Sequence, residues 1–279
     1  MFITRLLSGI VLLLLSFGFI YLGGYPLTAF VCLLAFQAFF EIQRVLKFGG
    51  DKKFNALSVW GYIGIAAYYA LLAVFKRPEL LVMTAVLTMI GFLVIYVFSF
   101  PKVSFEEVAG ALFGFLYAPI MLSFMVLTRG LNHGIYIVWM IYISAWGSDT
   151  LAYCVGMLTG KTIGNHKMTP KLSPKKSIEG AVGGILGAAL LAWLYGKFVM
   201  GRIETGIPDI EWMLAIMGAC GAFMAMIGDL AASAIKRNKD IKDYGHCIPG
   251  HGGILDRFDS MIFTAPLTYF LATLLLNVL

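Results

Sequence analysis

Carboxylates near the C-terminal end of this chain have a spacing that suits metal-assisted phosphate chemistry. Asp229 and Ser233 are four residues apart, and Asp256 and Asp259 are three apart, so each pair would share one face of a helix. Clustered carboxylates repel one another unless a cation joins them, and hard oxygen ligands suit Mg²⁺, which completes its shell with water and substrate phosphates. We therefore predict that Asp229, Asp256 and Asp259 are metal ligands and catalytic residues, and that Ser233 contacts substrate.

Basic side chains accompany these acids. Lys236 and Arg237 follow Asp229 by two turns of a helix, and Arg257 lies between the two later aspartates. Guanidinium and ammonium groups bind phosphate oxygens whose charge a metal has not neutralised. Lys236 and Arg257 are predicted to be catalytic and Arg237 to bind substrate. The alternative is a solvated basic linker with scattered acids, which does not account for Asp229 inside an apolar run.

A glycine-rich turn, Pro249–Gly253, precedes the last two aspartates. Glycine lets a ligand approach the backbone closely, so we predict that Gly252 and Gly253 bind substrate. His251 lies in the same turn and is expected to contact phosphate or to support the backbone, rather than to act as a general base.

A second basic segment, Ser173–Glu179, precedes an apolar run. Ser177 to Glu179 can cap the helix that follows, and the amide end of a helix attracts anions. We predict substrate contacts for Ser173, Lys175, Lys176 and Ser177; the alternative is a basic loop without a ligand. The earlier Gly160–Thr162 is not a P-loop, because Val155 stands where that motif needs glycine.

Asp149 lies well inside an apolar run at about residues 135–157. A carboxylate near the middle of a bilayer is costly, so it needs a partner, a cavity or a proton. We predict that Asp149 contacts substrate. The alternative is an aspartate near a helix end, hydrogen-bonded by Ser148 and Thr150.

The composition requires that most of the surface meets lipid. Hydrophobic residues make up 60% of the chain and charged residues only 13%, whereas a soluble domain is about half apolar and a quarter charged. The net charge of +6 then indicates basic loops at a membrane rather than nucleic-acid binding. The four cysteines have no spacing typical of a disulfide framework or a zinc site.

Apolar runs long enough to span a bilayer, which takes about 20 residues, predict an all-α, polytopic membrane helix bundle. Leu6–Leu22 exceeds a signal-peptide core of about 7–15 residues, so we expect a retained first helix. We expect one membrane domain, 1–279, with N-terminal helices over 1–130 and catalytic helices and loops over 131–279. The nine predicted spans cover about residues 5–22, 26–43, 57–75, 80–99, 107–127, 135–157, 180–200, 212–235 and 260–278.

Loop charge predicts the orientation. With nine spans, 16 of the 21 lysines and arginines fall on the side of the N-terminus. The positive-inside rule makes that side cytoplasmic. The N-terminus and both long basic loops, at about 158–179 and 236–259, would therefore face the cytoplasm.

The C-terminal motifs resemble the signature of phosphatidate cytidylyltransferases, S-x-x-K-R followed by K-D and P-G-H-G-G-x-x-D-R-x-D. Here it begins at Ser233, continues at Lys242 and Asp243, and ends with Pro249–Asp259. The Asp149 segment and Ser173–Gly180 also look like family motifs, so the specific resemblance covers about 144–180 and 228–260. The first 130 residues match only as apolar helices.

The resemblance implies a homodimeric enzyme of the inner membrane with its active site facing the cytoplasm. It would make CDP-diacylglycerol and pyrophosphate from CTP and phosphatidic acid, in contact with membrane lipid, using Mg²⁺ and a second cation such as K⁺. The nearest alternative is a CTP-dependent lipid kinase. A CDP-alcohol phosphotransferase would need D-G-x-x-A-R, which does not occur. A transporter using Asp149 and Asp229 as a relay would favour an internal repeat, and none stands out.

Overall fold

A computed structural model gives the architecture of residues 2–48, 55–75, 77–162, 164, 166–203, 206–250 and 252–276. Helices dominate it, which confirms the predicted all-α class. The helices are α1 Phe2–Leu22, α2 Gly24–Leu46, α3 Ala56–Val74, α4 Pro78–Ser99, α5 Phe105–Phe115, α6 Met121–Arg129, α7 Gly134–Ile137, α8 Trp139–Tyr142, α9 Ser148–Thr162, α10 Ile178–Phe198, α11 Ile210–Asn238 and α12 Leu255–Leu275.

Shorter elements connect several of these helices. Wider π-helical turns at Leu116–Ile120 and Ile143–Gly147 join α5 to α6 and α8 to α9, and a 3₁₀ turn, Met200–Arg202, follows α10. The strands β1, Lys167–Thr169, and β2, Ser173–Ser177, pair antiparallel. The sequence predicts only a turn before α10, so this small hairpin is an addition to the predicted fold.

Within the described ranges, seven helical segments are long and apolar enough to cross a membrane, and Ser8–Leu22 forms a shorter apolar helix. They coincide with eight of the nine predicted runs, so the protein is a multi-pass membrane protein. The predicted run at 135–157 is different, because α7, α8, the π-helical turn and α9 divide it. The structure therefore does not confirm nine continuous spans.

In this divided run, counting apolar residues is not enough to predict one continuous membrane helix. Its π-helical turn, Ile143–Gly147, packs where neighbouring helices come very close. A Cβ on Gly221 of α11 would overlap the Ser144 side chain, and a Cβ on Gly184 of α10 would lie 2.9 Å from the Ser148 carbonyl oxygen. π-helical turns are rare and are frequent at functional sites. Here the turn immediately precedes α9, whose first turn contains Asp149.

The described chain divides into two compact units. The first contains Met1–Val126 and Asp243–Arg257. Its core includes Phe39 and Ile42 of α2 and Phe115 of α5, all fully buried. Tyr69 donates a 2.8 Å hydrogen bond to the carbonyl oxygen of Pro119, inside the first π-helical turn, and so satisfies a carbonyl in a proline-containing segment.

The second unit contains Leu127–Lys242 and Phe258–Leu279. Its core joins Met140 of α8, Ala192 of α10, Leu214 of α11 and Ala272 of α12, all of them inaccessible to solvent. Small residues let α10 approach its neighbours closely, and its buried face consists of Gly180, Gly184, Ala188, Ala192 and Gly196. The prediction of a single membrane domain stays a prediction.

Candidate active site

A pocket of about 350 Å³ opens in the second unit between α9, β2, α10 and α11. Four residues predicted to contact substrate line it: Asp149, Lys175, Lys176 and Ser177. Pockets of about 300–1,000 Å³ with a few polar groups in a largely apolar lining are typical small-ligand sites. The structure therefore brings two separate sequence motifs to one cavity.

Glycines allow the close approach of helices that forms this pocket. A Cβ on Gly180 would lie 2.8 Å from the carbonyl oxygen of Ala152 and 3.0 Å from the Ser177 hydroxyl. A Cβ on Gly156 would lie 3.2 Å from the same hydroxyl. α9 and the start of α10 thus approach each other too closely for larger side chains.

Ser177 and the hairpin fix the position of the two lysines. The Ser177 hydroxyl accepts a 3.1 Å hydrogen bond from the Gly180 N–H and caps α10, as the sequence predicts. At the same open end of the hairpin, where Lys167 pairs with Ser177, the Glu179 carboxylate accepts from the His166 N–H and lies 2.5 Å from His166 Nδ1. Ser173 pairs with Thr169 across the strands, so its backbone supports the hairpin.

Asp149 lies in the first turn of α9, directly after the π-helical turn. The hydroxyls of Ser148 and Thr150, which the alternative interpretation paired with Asp149, donate instead to the carbonyl oxygens of Ala145 and Trp146, at 3.0 and 2.8 Å. The Asp149 carboxylate lines the pocket and interacts electrostatically with Lys176 and Asp229.

Lys176 forms an ion pair with Asp229 of α11, one of the helices around the pocket. Their side chains are 23% and 29% exposed, so the pair is only partly accessible to solvent. An ion pair that is partly removed from water interacts more strongly than one on the surface. Lys176 thus has both a pocket-lining position and a carboxylate partner.

Asp149, Lys176 and Asp229 form a charged cluster, and Asp259 near the start of α12 belongs to it. It interacts electrostatically with Asp229, Lys236 and Asp149, and its carboxylate accepts a 2.7 Å hydrogen bond from the Ser260 N–H. The helices approach closely here, because a Cβ on Gly228 would lie 2.6 Å from the Asp259 carbonyl oxygen. The cluster therefore contains three carboxylates and two lysines.

The other predicted residues of α11 lie on its last turns. Ser233 is half-buried, whereas Arg237 is exposed. Both belong to the same helix as Asp229 and follow it by one and about two turns.

Asp256 and the glycine-rich turn belong to the first unit. The Asp256 carboxylate oxygen Oδ2 accepts hydrogen bonds from the Tyr244 N–H at 2.8 Å and the Gly253 N–H at 3.0 Å. Gly252 has a φ of 86° and forms an isolated bridge with Ile248. Asp256 thus organises the turn that the sequence assigned to substrate binding.

Two further residues of this segment, Arg257 and His251, were predicted to act in the site. Arg257 is exposed on the first turn of α12. His251 lies outside the described residues.

The second unit offers oxygen donors of the kind that a divalent metal ion binds. Asp149, Asp229 and Asp259 interact with one another and supply hard oxygen donors. Among the residues that the structure describes, no three His, Cys, Asp or Glu side chains are grouped closely enough to hold an ion. Mg²⁺ does not require such a group, because it is usually bound by one or two carboxylates, with water and phosphate oxygens as further ligands.

Sequence reasoning missed Glu41 of α2, which contacts the glycine-rich turn through the backbone N–H groups of Ile254 and Leu255. The signal was present, because Glu41 lies inside the predicted apolar run at 26–43, as Asp149 lies inside its own run. Tyr153 and Met226 of the pocket wall were also missed. Apolar residues in membrane helices carry no signal that distinguishes a pocket wall from a lipid contact.

Comparison with known proteins covers nearly the whole chain. The profile of the cytidylyltransferase family matches residues 3–275. The phosphatidate cytidylyltransferase of Bacillus subtilis is 31% identical over 280 residues, which cover 97% of each chain. That of Staphylococcus saprophyticus is 31% identical over 95% of this chain and 96% of the relative. That of Rickettsia typhi is 37% identical over 57% of this chain and 68% of the relative.

Proposed function

The chain belongs to the cytidylyltransferase family, and on that premise we propose that it converts CTP and phosphatidic acid to CDP-diacylglycerol and pyrophosphate. It is a nucleotidyltransferase enzyme with transmembrane helices. The observation that carries the proposal is the pocket in which Lys175 and Lys176 stand beside Asp149, with Asp229 paired to Lys176. Such a site offers both cations for phosphate and carboxylates for a metal ion.

In the proposed reaction, a phosphate oxygen of phosphatidic acid attacks the α-phosphorus of CTP. The new P–O bond forms as the bond between the α-phosphorus and the bridging oxygen breaks, and pyrophosphate leaves with that electron pair. The nucleophile is already anionic, so no strong base is needed. The main obstacle is the repulsion between two polyanions, which positioning and electrostatic stabilisation can overcome.

Basic side chains would supply part of that stabilisation. Lys175 and Lys176 line the pocket, Lys236 belongs to the charged cluster, and Arg237 and Arg257 are exposed. We propose that these five hold phosphate oxygens of the two substrates. When substrate binds, Lys176 would then leave its ion pair with Asp229 and pair with phosphate. The other proposed substrate contacts are Asp149, Ser173, Ser177, Ser233, His251, Gly252 and Gly253.

We propose that Asp229, Asp256 and Asp259 are the carboxylates of a Mg²⁺ site, with a second cation such as K⁺. When bound, Mg²⁺ would orient phosphate oxygens and offset the charge that develops on pyrophosphate. The interaction between Asp229 and Asp259 supports this part of the proposal, since two neighbouring carboxylates favour a cation.

The proposal also includes location and assembly. The phosphatidate headgroup would enter at the cytoplasmic boundary of the inner membrane while its acyl chains stay in lipid. The clustering of basic residues on one predicted side of the membrane supports this orientation. We further propose that the enzyme acts as a homodimer.

Purified protein incubated with CTP, phosphatidic acid and Mg²⁺ tests the function. With CTP labelled at the α-phosphate, we expect label in a lipid product that comigrates with CDP-diacylglycerol, with one pyrophosphate released per lipid. Label that reaches lipid only from the γ-phosphate would identify a lipid kinase and overturn the proposal. The absence of any labelled lipid would overturn it as well.

A further inference from the structure

Glu41 is a buried acidic residue whose contacts lie within the first unit. It belongs to α2, and only 1% of its surface is exposed. Its carboxylate accepts three hydrogen bonds, two at 2.9 Å from the backbone N–H groups of Ile254 and Leu255 and one at 3.1 Å from the side-chain amide of Gln37. Because all three partners are donors, the site suits an ionised carboxylate.

The two backbone donors lie at the start of α12, which begins at Leu255. The first N–H groups of a helix have no partner within the helix, and the helix dipole makes that end positive. Glu41 supplies the missing acceptors and a negative charge from a helix more than two hundred residues earlier in the chain. It therefore caps α12 from outside.

At the start of this helix, two carboxylates accept hydrogen bonds from three consecutive backbone N–H groups. Asp256 accepts from Gly253, and the two Glu41 oxygens accept from Ile254 and Leu255. A change in the position of Glu41 would consequently change the position of the turn that also holds the Asp256 carboxylate.

Two glycines of the signature segment make room for Glu41. A Cβ on Gly253 would overlap its carboxylate, and a Cβ on Gly245 would lie 2.7 Å from Oε1. The α2 helix holds the same segment at a second point, because Arg44 Nη2 donates a 2.8 Å hydrogen bond to the Tyr244 carbonyl oxygen. These glycines therefore permit close contact with α2.

We propose that Glu41 is a positioning residue for the cytidylyltransferase reaction. By accepting from the first N–H groups of α12, it sets the position of Asp256 in the first turn of that helix. This gives α2 a role in the reaction through the turn that holds Asp256. The inference rests on the proposed function for its kinetic part only.

The test compares the wild-type enzyme with Glu41→Gln, which keeps the size of the side chain. An amide has one acceptor oxygen, so it can serve one of the two backbone donors while its NH₂ group faces the other. Amide hydrogen exchange of the segment 243–258 is measured by mass spectrometry, together with kcat and KM for CTP. We expect at least tenfold faster exchange at Ile254 and Leu255. We also expect kcat to fall by about 10–100-fold, which is the usual loss when a residue that orients a metal ligand is changed. The KM for CTP should change much less.

Thr28→Val is the matched control. Thr28 is a buried polar residue of the same helix, and its hydroxyl donates to the Gly24 carbonyl oxygen rather than to the C-terminal turn. Exchange in 243–258 and kcat should both stay at wild-type levels. If Glu41→Gln cannot be isolated in folded form, Gln37→Met is measured in its place, because Gln37 donates a hydrogen bond to Glu41. Faster exchange at the same two amides then supports the inference.

Unchanged exchange at Ile254 and Leu255 in the variant that is measured overturns the inference. Faster exchange with an unaltered kcat overturns it as well. Failure of the proposed function is recognised separately. In that event the wild-type enzyme does not transfer α-label to lipid, whereas the exchange experiment still reports whether Glu41 holds the start of α12.

Discussion

At the scale of single residues, three acidic side chains lie inside apolar helices, and each lines the pocket or contacts a specific partner. Asp149 lines the pocket, Asp229 is paired with Lys176, and Glu41 accepts backbone hydrogen bonds at the start of α12. Each carboxylate has a partner or a cavity, as expected when the cost of burying a charge must be offset.

The Asp256→Asn variant tests the most constrained of the proposed metal ligands. The change removes a negative charge and replaces the carboxylate that accepts from Tyr244 and Gly253 with an amide. We expect kcat to fall about 100-fold or more, at the upper end of losses caused by perturbing a metal site, while the protein still inserts and elutes as a single species from a sizing column.

Asp209→Asn provides the control for that variant, because it makes the same chemical change at an exposed position just before α11. Its kcat should match the wild type. A near-normal kcat for Asp256→Asn would refute the role assigned to Asp256.

At the scale of elements, the small residues of α10 decide whether a pocket exists. Gly180 lies at the point where α10, α9 and the Ser177 cap meet, and the two lysines of β2 are held just before it. Any added side chain must displace either the cap or the Ala152 backbone.

Gly180→Ala is therefore expected to destabilise the protein by about 1–3 kcal/mol through overpacking and to raise the KM for CTP, because the pocket wall moves. Thermal unfolding in detergent and initial rates measure the two effects. Gly18→Ala in α1, where an added Cβ meets nothing within 4 Å, should leave both unchanged or raise stability by up to about 1 kcal/mol. Equal stability and KM for Gly180→Ala and the wild type would contradict this account of the pocket.

At the scale of the whole molecule, loop charge predicts that the C-terminal signature segment faces the cytoplasm. Cys247 is exposed in that segment, whereas Cys220 is exposed on the apolar helix α11. The two native thiols thus differ in their expected surroundings, one aqueous and one lipid.

A membrane-impermeant maleimide should label Cys247 in inside-out vesicles and leave it unlabelled in right-side-out vesicles. Cys220 should remain unlabelled in both, because a charged reagent does not enter lipid. Peptide mass spectrometry identifies the labelled residue. Labelling of Cys247 only in right-side-out vesicles would reverse the predicted topology.

The sequence by itself determined the membrane class, most helices and the family. Long apolar runs need lipid whatever their neighbours are, so α2 to α4 and α10 to α12 follow from composition and length. Asp229 could be identified because charged residues are rare in such runs, and the motifs around Lys176 and Asp256 because their residues are close together in the sequence.

Only the tertiary structure decided which of these residues meet. The pairing of Lys176 with Asp229, the π-helical turn before Asp149 and the contact of Glu41 with the start of α12 depend on helix packing between segments far apart in the chain. Periodicity describes one helix at a time, so it cannot show where a glycine of one helix admits the backbone or carboxylate of another.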